Sequence, residues 1–417
     1  MHQWVQLYKA AIEAGCQWID VDIQGIAAFD QDFLNTVFAR RGVLSAHFTD
    51  EQSVDATVRA MAAIPAAVYK CVLPEEFARC MRTVTALIDF WKSLNKKFIV
   101  HCSGENATST RLWAAILGNA WTYIAAGTER TAAGQPTMEE LRWYRLDQKT
   151  PETRLLGLFG YPLHQSRGWQ LHNALLALFG YADRWLYLNF PDPDFSAAFA
   201  AWQPWLDGAS ITIPHKQTAV ALCEERSPEV QITGVCNTIL RREDHWAAFN
   251  TDFLALRELL LPFQSQLRRA LVVGTGATAR TAIGVLQQMG VSQIWVMGRS
   301  AAKRKALATH FHCSSLPLGA PLPAPVDILI HATPVGMVPY TEQMLPLTPY
   351  LHPQMVLVEV VHNPAETLLV QTARQQGVAA IITGIALFLH QARYQFQLFT
   401  NVCPSIQQMW QVWKQLQ

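Results

Sequence analysis

The sequence predicts an α/β protein built on parallel strands, and three observations carry that prediction. Short apolar strands alternate with helical stretches over the first 145 residues. Polar residues then collect at strand ends between about 155 and 253. Finally, the apolar strand Arg269-Ala270-Leu271-Val272-Val273 runs through a glycine-rich turn into a helix-forming stretch, Thr281 to Met289. At 417 residues the chain is long enough for two or three domains with separate cores.

Composition narrows the function classes. Half of the residues are hydrophobic and only 16% are charged, which describes a compact, well-buried protein. A net charge of +1 leaves no footprint for nucleic acid or an anionic membrane. No apolar run approaches the roughly 18 residues a bilayer requires, and no signal-peptide pattern opens the chain. The eight cysteines (Cys16, Cys71, Cys80, Cys102, Cys223, Cys236, Cys313, Cys403) are scattered, with no Cys-x-x-Cys pair. They read as reduced core residues of a cytoplasmic protein, with neither a disulfide frame nor a metal site expected.

In the first unit, strands are expected at Trp18–Ile23, Val43–Ala46, Ala66–Val72, Lys97–His101 and Trp121–Ala125, forming a parallel sheet or barrel. His47 falls at the end of one strand and Lys70 in the middle of the next. An apolar setting disfavours a charged lysine, and a neutral one can form a Schiff base with a ketone. A lysine snorkelling to solvent is the alternative. The charged, proline-containing stretch Asp147–Arg154 reads as a linker.

The second unit places strands at Leu155–Phe159, Trp185–Asn189, Ser210–Ile213, Asn237–Leu240 and Trp246–Phe249. The third of these ends at Pro214 and delivers Lys216 to the following turn. Val235-Cys236-Asn237-Thr238 and Asn250-Thr251-Asp252 bring further hydrogen-bonding groups to strand ends, which in an α/β domain share one crevice. Lysine, aspartate, two asparagines and threonine suit a polyhydroxylated, anionic small molecule. A lysine beside an aspartate can move a proton to and from a carbinol oxygen. Read singly, Lys216 is a solvated cation and the Asn-Thr pairs are turn residues.

The third unit carries Gly274-Thr275-Gly276-Ala277-Thr278-Ala279. In that pattern Gly274 permits the tight turn, Gly276 clears room for a pyrophosphate at the helix N-terminus, and Ala279 allows close helix–strand packing. The next strand, Ser292–Met297, leads to Gly298-Arg299-Ser300, with Lys303 and Arg304 behind. An NAD site normally places a carboxylate there; a guanidinium pairs instead with a 2′-phosphate, so NADP is the expected dinucleotide. The alternative is a set of surface cations opening a solvated helix. Ala386–Gln417 is expected to be largely helical and amphipathic.

From Leu155 to Cys403 the order of these segments resembles the shikimate dehydrogenase family. The segments are Gly160-Tyr161-Pro162…Ser166…His172-Asn173, Thr212-Ile213-Pro214-His215-Lys216, Asn250-Thr251-Asp252, Asp327 to Met337, Asn363-Pro364…Glu366-Thr367 and Gly384…Gln391-Ala392. The resemblance implies that Lys216 and Asp252 form the catalytic pair, and that Ser166, Thr212, Asn237 and Gln391 hold substrate. It also implies that Gly274, Gly276, Ala277, Arg299, Ser300, Thr333 and Gly384 surround NADP. Departures fall at Gly168, where a second serine is usual, at Ser210 for Asn, His362 for Tyr and Ala386 for Met; they bear on substrate preference. A quinate-type dehydrogenase and a non-catalytic binding module of the same fold are the competing readings.

Asp20-Val21-Asp22, Ser45-Ala46-His47, Lys70, Ser109-Thr110-Arg111 and Thr131-Ala132-Ala133-Gly134-Gln135 follow the order of type I 3-dehydroquinate dehydratases. Those are (β/α)8 barrels, and the resemblance implies an imine-forming Lys70 and a proton-shuttling His47. Arg111, Thr131 and Gln135 match substrate-binding positions. Trp18–Ile23 matches the barrel's fourth strand, so three strand–helix units have no counterpart here. A miscalled start, a fragment and a degenerate domain all account for this. Five strands do not close an eight-stranded barrel, so a partial domain without dehydratase activity is expected.

The expected organisation is therefore a partial (β/α)8-barrel-like region at 1–150 and an α/β substrate domain at 151–253. A Rossmann-type NADP-binding domain at 254–385 and a helical return at 386–417 complete it. The expected partners are small molecules: 3-dehydroshikimate and shikimate, with 3-dehydroquinate for the first region.

Overall fold

The computed structural model describes residues 2–50, 52–76, 81–164 and 166–416; Cys80 lies outside them. Two compact units emerge, Met1–Gly157 with Pro162–Leu206, and Leu158–Tyr161 with Asp207–Gln417.

In unit 1, β1 (Ile19–Asp22), β2 (Gly42–His47), β3 (Val68–Leu73) and β4 (Phe98–Cys102) lie parallel in chain order. Register sets Asp22 beside Ser45 and Ser45 beside Lys70, so polar groups share one level of an otherwise apolar sheet. Val43, Val68 and Ile99 are buried on one face, with Trp121 and Tyr123 packed against them. This explains why the fifth expected strand fails. Of Trp121–Ala125 only Ala125 makes a bridge, to Thr137, while residues 121–124 run irregularly. Their rings cover the sheet face instead of extending its ladder, and the described sheet is four strands wide.

The Asp147–Arg154 linker is anchored. Lys149 donates to the carbonyl oxygens of Ala182 and Trp185, and burial lowers its amine to about 8. Next come β5 (Arg154–Gly160) and β6 (Trp185–Pro191), neighbours in one ladder. The chain passes from unit 1 to unit 2 within β5.

Unit 2 continues with β7 (Leu206–Ile211), β8 (Glu225–Arg226), β9 (Thr238–Arg242) and β10 (His245–Phe249), which follow β5 in the order β7-β9-β10-β8. A second sheet is entirely parallel: β11 (Arg269–Val273), β12 (Gln293–Gly298), β13 (Ser314–Pro317), β14 (Ile328–His331), β15 (Val356–Glu359) and β16 (Ala380–Ile382). Its order, β13-β12-β11-β14-β15-β16, reverses direction between β11 and β14. That reversal opens a crevice at the carboxyl ends of the strands. Both faces are covered, so β11 reads as a continuous apolar run: Ala270 and Val272 join one core cluster, Leu271 and Val273 the other.

The closing stretch is largely helical, as expected, and is divided into two helices, Gly384–Thr400 and Ile406–Gln415. Glu258, on the Thr251–Leu260 helix, anchors the first of them. Its Oε2 accepts from Arg393 at 2.6 Å and the Tyr394 hydroxyl at 2.9 Å, with His390 Nδ1 at 3.1 Å. Among the described residues no helix is long and apolar enough to cross a membrane.

Candidate active site

The glycine-rich turn has the geometry its sequence implies. Gly274 adopts φ 130°, and a Cβ there would lie 2.4 Å from the Ala332 carbonyl oxygen. Only glycine fits such an approach. At Gly276, the N-cap of the Ala277–Gln288 helix, a Cβ would meet nothing within 4 Å. Open space at a helix N-terminus, lined by bare backbone, fits a dinucleotide pyrophosphate. Arg299 and Ser300 are exposed at the end of β12, and Ser300 caps the next helix through Lys303 N–H at 3.3 Å. Arg304 is committed elsewhere. It is buried, and its Nη1 donates to the Gly298 carbonyl at 3.0 Å, leaving Arg299 and Lys303 as the exposed cations.

Lys216 and Asp252 meet in the same unit. Lys216 sits after β7 and Asp252 in the first turn of the Thr251–Leu260 helix, whose N-cap Asn250 accepts Phe253 N–H at 3.1 Å. Asn250 also donates to Thr233 and Thr281, tying that helix start to two neighbouring helices. Lys216 Nζ donates to Asp252 Oδ2 at 2.5 Å, and each side chain is 13% exposed. Screening by water is weak there, so the carboxylate holds the amine in place.

A polar network flanks the pair. Asn237 Oδ1 accepts Thr251 N–H at 2.7 Å, and its Nδ2 donates to Thr251 Oγ1 at 2.9 Å and to Gln391 Oε1 at 3.2 Å. Gln391 Nε2 donates to the Phe388 carbonyl at 3.0 Å. Thr212 N–H donates to the Phe159 carbonyl at the start of the lysine turn. His362, one of the departures, stacks on Phe388 with ring centroids 5.2 Å apart. Burial first, and then the Lys216 charge, hold its imidazole below the usual range. Gly384 is required by packing, since a Cβ would lie 2.2 Å from the Val361 carbonyl oxygen.

Ser166 belongs to unit 1, where its Oγ accepts Gly168 N–H at 3.3 Å. The Gly168 amide, at the position where a second serine is usual, is thus engaged by Ser166.

In unit 1, Lys70 is partnered, contrary to the lone apolar lysine expected. Its Nζ donates to Asp20 Oδ2 at 2.8 Å and lies 5.0 Å from the Tyr123 ring centre. The expectation considered neighbours in sequence, whereas Asp20 arrives from two strands away. His47 Nδ1 lies 3.3 Å from Asp22 Oδ2, with its side chain 57% exposed. Arg111 is buried, Nη1 facing His101 Nε2 at 3.3 Å, and has no acidic partner among the described residues. A buried guanidinium in that state suits an anionic ligand. Thr131 donates to Gln135 Oε1 at 2.9 Å, so these two expected substrate groups are bonded to each other.

His101, His331 and Glu359 escaped the sequence reading. Burial and the Arg111 charge hold His101 at about 3. His331 and Glu359 end β14 and β15 side by side, with Nδ1 and Oε1 2.9 Å apart. A polar residue closing an apolar strand, as in Ile-Leu-Ile-His and Val-Leu-Val-Glu, was the available signal.

A dinucleotide-type sheet and a buried lysine–aspartate pair in one unit define an α/β oxidoreductase. Family models match in three stretches: type I 3-dehydroquinase at 1–150, the shikimate dehydrogenase substrate binding domain at 158–239, and shikimate / quinate 5-dehydrogenase at 257–344. Shikimate dehydrogenase (NADP(+)) of Maridesulfovibrio salexigens is 31% identical over 264 residues, 62% of this chain and 94% of that protein. The shikimate biosynthesis protein AroDE of Chlamydia pneumoniae is 25% identical over 95% of this chain and 81% of its own. Among solved structures, shikimate 5-dehydrogenase of Thermus thermophilus, in complex with NADP(H) and shikimate, is 26% identical with a TM-score of 0.56. It covers 64% of this chain and 100% of its own. Quinate dehydrogenase of Corynebacterium glutamicum, in complex with NAD, is 25% identical with the same TM-score, 0.56, over 63% of this chain and 99% of its own. The chain belongs to the shikimate dehydrogenase family, with a type I 3-dehydroquinase region ahead of it.

Proposed function

We propose that this chain is an NADP-dependent shikimate dehydrogenase, reducing 3-dehydroshikimate to shikimate in the route to aromatic amino acids. The observation that carries the reading is the Lys216–Asp252 pair, buried at 2.5 Å beside the Asn237–Thr251–Gln391 network. We assign 151–253 to substrate binding, 254–385 to NADP, 386–417 to a helical return and 1–150 to a dehydratase-like region. A cytoplasmic location accords with scattered cysteines, of which the seven described form no disulfide.

NADPH, when bound, supplies a hydride to the carbonyl carbon. Lys216 gives a proton to the carbonyl oxygen, which becomes the alcohol, and recovers one from solvent. Asp252 keeps the amine directed and offsets its charge. Asn237 and Gln391, cross-bonded before substrate arrives, supply fixed donors and acceptors to hydroxyl groups. Ser166 and Thr212 complete the proposed substrate set, and Gly274, Gly276, Ala277, Arg299, Ser300, Thr333 and Gly384 the cofactor set. The shape at Gly276 and the absence of a carboxylate after β12 support the latter.

In the 1–150 region Lys70, His47, Arg111, Thr131 and Gln135 are the dehydratase candidates. The open sheet and the exposed His47 favour a region that does not turn over 3-dehydroquinate in this chain.

The test is NADPH consumption with 3-dehydroshikimate, compared with NAD-linked oxidation of quinate. Turnover in the first assay is expected. Faster oxidation of quinate with NAD overturns the substrate assignment, and no turnover in either assay leaves a binding module.

A further inference from the structure

Glu359 and His331 form a buried polar cluster whose bonds all lead to loops at the carboxyl end of the parallel sheet. They are register partners on β15 and β14. Glu359 Oε1 accepts Val361 N–H at 2.9 Å, and Oε2 accepts the Thr367 hydroxyl at 2.8 Å. His331 Nδ1 lies 2.9 Å from Oε1 and 3.1 Å from Oε2. Both residues are almost wholly buried.

For a neutral imidazole the bonds fix the tautomer. A carboxylate that already accepts two donors takes a third from His331, so Nδ1 carries the hydrogen. Nε2 is then the acceptor, and it lies 2.6 Å from Thr333 Oγ1. The threonine hydroxyl therefore points its hydrogen at the histidine. Val335 N–H donates to the same oxygen at 3.3 Å, which leaves Oγ1 one further lone pair to offer.

Thr333 is also pressed against the glycine-rich turn, its Cγ2 being 3.3 Å from where a Gly274 Cβ would stand. The Val361 carbonyl contacts Gly384 on the next loop. One buried pair thus joins the loops after β11, β14 and β15 to the start of the Gly384–Thr400 helix.

We infer that His331 and Glu359 are positioning residues that hold Thr333 as a hydrogen-bond acceptor toward the bound dinucleotide. This rests on the NADP reading above. Glu359 fixes the histidine tautomer, His331 occupies the threonine proton, and the further lone pair then takes a donor such as the carboxamide N–H of the nicotinamide. Without His331 the hydroxyl rotates freely and can present its own hydrogen, the wrong polarity for that donor.

The experiment separates the two nitrogens. Asparagine reaches only to the Nδ1 position and keeps the bond to Glu359, while glutamine reaches the Nε2 position and keeps the bond to Thr333. NADP+ binding is titrated on the full chain by tryptophan fluorescence for the parent, His331→Asn, His331→Gln, Thr333→Val and the double variant His331→Asn/Thr333→Val. His331→Asn and Thr333→Val should each weaken binding about five- to tenfold, the size of one buried hydrogen bond. His331→Gln should stay within about threefold of the parent, and the double variant should bind no worse than Thr333→Val alone. KM for NADPH should rise in His331→Asn while kcat at saturation holds within about twofold. Circular dichroism identifies any variant that has not folded, and Thr333→Val and His331→Gln decide the matter if His331→Asn is that one. Binding by His331→Asn within about twofold of the parent, or effects that multiply in the double variant, overturns the inference. A parent that does not bind NADP+ overturns the cofactor reading, and this inference with it.

Discussion

Each unit sets a lysine against an aspartate beside a β-sheet, and the two pairs differ less in themselves than in their surroundings. Lys70 and Asp20 stand 2.8 Å apart, Lys216 and Asp252 2.5 Å. Around Lys216 the polar neighbours are bonded to one another and come from the residue preceding β9, the Thr251–Leu260 helix and the Gly384–Thr400 helix. Around Lys70 the sheet is four strands wide, and the Asp22–His47 contact lies in water. A proton-transfer group depends on fixed, poorly solvated partners, so the walls distinguish the two sites more than the pair does.

The all-or-none form of this comparison is an imine trap. Borohydride added with 3-dehydroquinate should leave Lys70 unmodified, because a Schiff base needs the ketone held within about 3–3.5 Å of the amine in a water-poor pocket. A stable adduct on Lys70, with 3-dehydroshikimate formed, would show that four strands suffice.

Lys216→Ala breaks the comparison from the other side. Loss of a general acid costs about 10²–10⁴-fold in turnover, while NADPH affinity should stay near the parent value. Turnover within about threefold of the parent would remove Lys216 from the reaction.

Arg299→Ala should raise the NADPH constant about ten- to hundredfold more than the NADH constant, as expected for a charge-assisted contact to a 2′-phosphate. Because Arg304 is bonded to Gly298, an unchanged ratio transfers the role to Lys303.

The smallest effect concerns acid. His101 is held at about 3, below its ordinary 6.5, so the unfolded chain takes up the proton first as pH falls. Its contribution is complete above 6.5 and is lost between 6.5 and about 3, at ~1.4 kcal/mol per pH unit. The urea midpoint should therefore fall less steeply from pH 7 to 5 in His101→Gln; equal slopes would assign the titration elsewhere.

Legibility followed the range of the interactions. The glycine-rich turn was readable because strand, turn and helix are contiguous; the strand matches as Arg269–Val273, and the helix begins at Ala277, ahead of the expected Thr281. Lys216 and Asp252 were readable through their strand-end positions together with the order of motifs, since the two are brought together by the fold. Asp20 beside Lys70 was missed because parallel register decides it, and the Trp121–Ala125 strand was misread because apolar aromatics cover a sheet as readily as they extend one. His331 and Glu359 obey the strand-end rule already applied to Asn237 and Asp252. They went unread because neither residue stands out alone.

The Glu258 anchor works like a set screw on the Gly384–Thr400 helix. His390, Arg393 and Tyr394 grip it from one side, while Gln391 and Gln395 reach Asn237 and Thr238 from another. Turning the helix about its axis would shift Gln391 and Gln395 relative to Asn237 and Thr238 without altering any of the four residues. If the proposed substrate set is right, substrate preference would be open to retuning from behind the site, through a carboxylate that need never touch the substrate.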